Sequence, residues 1–191
     1  MVSMIKKYIL PLVLLSSCTF IDYKQIPALT YRAIAGADDI PIDNDFIEQQ
    51  EFSFAKVRIG KQSIAIMTLA KIEDNTFRWV SSTGEAITTK DGRIIKTSGL
   101  PHNINEISRT NLSDNTFESF IFLLDPEAIV IKSSTELYNF DTTNSFQENF
   151  NVKSIRWKGT NSFEFNERGL VTHSQQYIHP YLPMVEMTFY Y

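Results

Sequence analysis

One cysteine, three histidines, seven glycines and seven prolines are all that 191 residues hold of the types that most often carry chemistry or interrupt a chain. A single thiol cannot form an intramolecular disulfide or a cysteine-rich zinc site, so burial must hold the fold together. His102, His173 and His179 are too few and too scattered for a histidine-based metal centre, and read as loop or surface histidines. There is no Gly-x-Ser-x-Gly, and nothing sets a nucleophile beside a base and its orienting group. Basic residues nowhere cluster, and 22 acids outnumber 18 lysines and arginines, which argues against nucleic acid as a partner. No apolar run approaches the roughly 20 residues of a membrane-spanning helix. Low-complexity tracts are absent, and Gly92-Arg93-Ile94-Ile95 and Gly169-Leu170-Val171 share only a turn-then-strand grammar. Aromatics are plentiful: 14 Phe, 8 Tyr and 2 Trp supply a core.

The cysteine sits at an informative place. Lys6-Lys7, the short apolar run Tyr8–Leu15 and the small residues Ser16-Ser17 form a secretory signal over 1–17, and Cys18 follows directly. Leu15-Ser16-Ser17-Cys18 looks like the bacterial lipobox, whose cysteine is acylated after cleavage. Cys18 is therefore the expected lipid attachment site. A lipidated tether would run over 18–30, past Pro27, into one domain over 31–191. Loss of Lys6 and Lys7 moves the formal charge from −4 to −6. Thr19 rather than Asp after the cysteine resembles an outer-membrane address, on the periplasmic face.

Beyond the tether, Tyr31–Ala35 reads as a helical turn ended by Gly36, and Asp43 or Asn44 as the cap of a short helix over Asp45–Gln50. The acids around them lack the ligand spacing and glycine turn of a calcium loop. From Ser53 the pattern alternates. Ile64–Ile72 is nearly all apolar, as expected for a strand covered on both faces. Lys90-Asp91-Gly92 between Ile87–Thr89 and Arg93–Thr97 predicts a type I′ hairpin. Ser98–Asp114 reads as a long loop with at most a helical turn. Strands are expected at Phe117–Leu124, from Ala128 toward Phe140, at Phe146–Trp157 and Asn161–Phe165 joined through Gly159, at Leu170–Tyr177, and at Val185–Phe189. Nine or ten strands without crossover helices predict an all-β fold: a large antiparallel meander curled into a barrel or half-barrel, with short N-terminal helical turns.

Two stretches carry a resemblance. One is Trp79-Val80-Ser81, Gly84 and Gly92 through Asn103; the other is Gly169-Leu170-Val171, Ser174–Tyr177, Pro180 and Pro183–Phe189. With a weaker block at Phe54-Ala55 and Val57–Gly60, they resemble the group 4 capsule polysaccharide lipoproteins (the GfcB/YjbF family). The resemblance implies an all-β, non-enzymatic outer-membrane lipoprotein with no cofactor, serving capsule or exopolysaccharide assembly or export. Implied partners are an outer-membrane β-barrel, periplasmic export proteins and the polysaccharide itself.

The residues worth following lie in those blocks. Arg93 suits either an anionic sugar or partner carboxylate, or a cross-strand ion pair. Gly99, Leu100, Pro101 and Asn103 cannot be regular strand, and form either a recognition loop or a corner that closes the sheet. Gln175 and Glu186 complete the set; Glu186 is read as a polar side chain on the solvent face of the last strand. Trp79 shares a face with Phe77 and reads as core. Two rival functions stay open: an acyl-chain carrier of the lipoprotein-localisation type, using the aromatic interior, and a glycan-modifying enzyme, which needs two paired carboxylates.

Overall fold

A computed structural model describes residues 39–61, 63–124, 127–139 and 144–191. The signal, Cys18, the tether and the helical turn at Tyr31–Ala35 lie outside the described residues.

Helix α1 (Asn44–Glu48) starts as the sequence suggests, with the Asp43 carboxylate accepting the Phe46 N–H at 2.8 Å. Its Phe46 packs edge-on against Phe54 of the first strand. Twelve strands follow: β1 (Phe54–Ile59), β2 (Ser63–Glu73), β3 (Thr76–Ser81), β4 (Ala86–Lys90), β5 (Arg93–Ser98) and β6 (Ile104–Ser113). Then come β7 (Thr116–Leu123), β8 (Ile129–Asn139), β9 (Ser145–Val152), β10 (Trp157–Phe165), β11 (Val171–Gln176) and β12 (Val185–Tyr190). Each strand lies antiparallel to the next, and β12 returns to β1 to close a barrel. Closure removes the exposed edges that an open meander would leave.

Alternation decides which side chains face inward. Along β12, Val185, Met187 and Phe189 are buried while Glu186 and Thr188 stay outside. Trp79 is fully buried, stacks near Phe77 and Phe189, and donates its indole N–H to Thr89 Oγ1 at 3.1 Å. With Val57, Met67, Ile87, Val185 and Met187 it fills the part of the barrel walled by β1–β4 and β12. The hairpin forms as expected: Asp91 and Gly92 both have positive φ, +51° and +76°, the requirement of a type I′ turn.

Four expectations are corrected. The strands number twelve, not nine or ten. Most of Ser98–Asp114 is not loop but the ten-residue strand β6. Its Asn, Ser and Thr side chains are tolerated because little of its length is buried beyond Ile104. Ile64–Ile72 is not covered on both faces: Met67 is buried, but β2 from Ala70 onward is exposed and Ile72 is 60% accessible. In a closed barrel one face of each strand meets water, whatever its composition. Gly159 does not join two strands. It lies within β10 opposite Phe150, where a Cβ would come within 2.8 Å of that ring; the turn falls at Lys153–Arg156, with Arg156 left-handed at φ +54°.

Candidate functional site

The barrel wall is weakest between β5 and β6. These two strands share one register pair, Lys96↔Asn105, whereas β6 ladders to β7 along its whole length. Two features part them. On β6, register shifts at Glu106/Ser108 and Asn111/Ser113 mark bulges, which bend and twist a strand. On β5, the chain is held across the lumen by β11 instead. Gly92 lies so close to Val171 that a Cβ would sit 2.3 Å from its Cγ2. The Gln176 side chain then behaves as a strand surrogate: its Oε1 accepts the Ile94 N–H and its Nε2 donates to the Gly92 carbonyl, both at 2.9 Å. That amide satisfies main-chain groups which β6 would otherwise pair.

The parting leaves a cleft of about 830 Å³. Lys90, Asp91, Arg93 and Ile95 form one side, Glu106, Arg109 and Asn111–Asp114 the other, with Phe117 and Leu137 behind. Below it the lumen is mixed, with Ser119, Ser133 and Thr135 buried beside Ile104, Ile121 and Phe150.

Beneath the cleft, in this inner space, stands Glu148 of β9, 4% exposed. Its Oε1 accepts from Arg93 Nε at 2.5 Å and from Arg109 Nη2 at 3.3 Å. Both guanidiniums also lie on aromatic rings: Arg109 is 3.3 Å above the Phe117 centroid, and Arg93 is 5.0 Å from that of Phe146 and 5.5 Å from that of Phe163. Charge-assisted bonds and ring faces together hold the two forks in place. Burial pushes the Glu106 carboxyl above its ordinary range, against the pull of Arg109 and Arg93. Burial likewise lowers Arg109, helped by repulsion from Arg93 and opposed by Glu148 and Glu106. Arg93, Arg109 and Glu106 thus face the cleft, with the Glu148 carboxylate buried beneath the two guanidiniums.

The residues singled out from sequence do not converge. Arg93 lies in this cleft, and its ion pair crosses the lumen to β9 rather than linking adjacent strands. Gly99, Leu100 and Pro101 lie beyond the far end of β5. There they line a smaller apolar pocket of about 300 Å³ with Val57, Ile64 and Met67. Asn103 pins that corner, donating to the Leu100 carbonyl at 2.7 Å and accepting its N–H at 3.1 Å. Gln175 and Glu186 pair across β11 and β12 on the outer wall, where Glu186 lies 3.6 Å from His173 Nε2 and 4.0 Å from Arg58 Nε.

Glu148, Arg109, Glu106 and Gln176 were not singled out. Glu148 had left a signal, because it interrupts the inward-facing series Phe146, Phe150, Val152. A carboxylate on an apolar face asks for a buried partner. Arg109 had left none, since its strand lacks apolar alternation.

Residues 28–129 match the family described as "Group 4 capsule polysaccharide lipoprotein gfcB, YjbF". No curated protein matches the chain. Among solved structures, the crystal structure of the hypothetical lipoprotein YmcC from Escherichia coli (K12) superposes with a TM-score of 0.63. The identity is 20%, over 86% of this chain and 92% of that one. At this identity the likeness concerns the fold.

Proposed function

The chain belongs to the group 4 capsule polysaccharide lipoprotein family, and we propose that it is a non-enzymatic accessory factor of capsule or exopolysaccharide assembly or export. In this reading Cys18 is acylated and holds the protein at the periplasmic face of the outer membrane. Permanent attachment needs more than one acyl chain, which bacterial lipoproteins of this type carry. Residues 18–30 then give a single domain, 31–191, the reach to meet a β-barrel partner, periplasmic export proteins or the passing glycan. The observation that carries the reading is the family match, joined to a cleft built to bind. Glu148 is occupied by two guanidiniums, an arrangement that suits holding a ligand more than attacking one. A second reading, carriage of an acyl chain, would have to use the apolar pocket of about 300 Å³ beside Leu100, because Trp79 and Phe189 fill the neighbouring part of the lumen.

Deleting the gene is expected to remove surface polysaccharide while its intracellular precursor persists, with restoration by the wild-type gene and not by Cys18→Ala. An unchanged surface in the deletion strain, measured by capsule staining and extraction, would overturn the role.

A further inference from the structure

We propose that the β5–β6 cleft binds an uncharged, hydroxyl-rich segment of the polysaccharide, with Arg93, Arg109 and Glu106 as the recognition group and Glu148 holding the two arginines from beneath. This deepens the reading above and rests on the protein handling that polymer.

The shape comes first. The cleft is a seam between two diverging strands rather than a closed cavity, so an elongated ligand can lie along it without threading a pore. Among the described residues, β6 from Ser108 to Ser113 ladders only to β7. Its other edge therefore adds main-chain donors and acceptors to the wall.

Charge decides the class of ligand. The lining sets Lys90, Arg93 and Arg109 against Asp91, Glu106 and Asp114, and Glu148 lies beneath, paired to both arginines. An anionic sugar would bring its carboxylate against those acids, or have to displace Glu148 from a pair it already makes. A cation would meet the two guanidiniums. A neutral polyol offends neither, because each hydroxyl both donates and accepts. It can donate to a carboxylate oxygen while accepting from a guanidinium N–H, and neighbouring hydroxyls match the paired atoms of either planar group.

Rigidity favours the same ligand. Both forks are already ordered by Glu148 and by the rings beneath them, so little side-chain freedom remains to be lost on binding. Arg109 covers Phe117 at 3.3 Å, so this ring contributes by holding the guanidinium rather than by stacking on sugar. Recognition is polar.

The test uses the full chain purified in detergent and two probes. One is surface polysaccharide extracted from the producing cells, with its uronates reduced to neutral hexoses; the other is polygalacturonate. The wild type is expected to bind the reduced polymer saturably and polygalacturonate more weakly. Arg109→Lys keeps the charge but not the fork, and should weaken the neutral probe about tenfold. Glu148→Gln keeps the volume but leaves two cations unbalanced, and should move preference toward polygalacturonate by about tenfold. No binding of the neutral probe, tighter wild-type binding of polygalacturonate, or unchanged behaviour of a folded variant would overturn the site. The wild-type comparison decides the ligand class even where a variant fails to fold. Full restoration of surface polysaccharide by a non-binding Arg109→Lys would sink this inference and leave the accessory role standing. A silent deletion would sink the role whatever the cleft binds.

Discussion

Glu148 carries two arginines on one oxygen while almost wholly removed from water. Removing a carboxylate from such a trio leaves two like charges facing each other across a half-buried space, and that penalty outweighs the lost attraction itself. Glu148→Ala is therefore expected to cost about 2 to 3 kcal/mol in urea unfolding, less than for a wholly buried pair because both arginines reach solvent. Arg93→Ala and Arg109→Ala should each cost clearly less, since Glu148 keeps one partner in either case. Equal losses in all three would mean that the two pairs form only as a unit. Glu186, by contrast, faces Arg58 and His173 on the outer wall, where ion pairs add little to stability.

Gln176 does for strand β5 what a neighbouring strand normally does. Its amide closes two main-chain groups that β6 has left, and it reaches them from β11 across the lumen. Gln176→Leu preserves size but orphans the Ile94 N–H and the Gly92 carbonyl, at about 1 to 3 kcal/mol for each unsatisfied buried group. The expected readout is faster hydrogen exchange at Ile94 with little change at Met67 or Ile131, whose strands lie three away from both β5 and β11. Uniform acceleration across the barrel would show that the clamp is not local. The bulges on β6 act at this same level. They part β6 from β5 and so open the cleft.

At the scale of the molecule, one part of the barrel interior is an apolar core around Trp79 and another holds titratable groups among aromatic rings. This second part gives stability a particular pH dependence. Glu106 has its pKa raised in the folded state by burial, so the folded chain holds that proton more tightly than the unfolded chain does. Its contribution is full below the unfolded carboxylate value and is lost as pH rises through the folded one. Glu106→Gln should therefore flatten the fall in stability on the alkaline side of the ordinary carboxylate range. Urea midpoints at a series of pH values, wild type against variant, check this; parallel curves would contradict it.

How much was legible in the sequence follows from the range of the interactions involved. Alternation in β12, the Asp91-Gly92 turn and the Asp43 cap are local, and the all-β class and the Trp79 core were readable from them. The sequence by itself also determined that no disulfide would brace the domain. Tertiary structure alone decided that Ser98–Asp114 would become a strand, since β6 takes its conformation from pairing with β7 rather than from its own propensity. It alone decided the site. Arg93, Arg109 and Glu148 come from β5, β6 and β9, and only closure of the barrel turns their side chains toward one lumen. Two guanidiniums around one carboxylate are a product of that geometry, because Coulombic attraction across a lumen depends on distance in space and not along the chain.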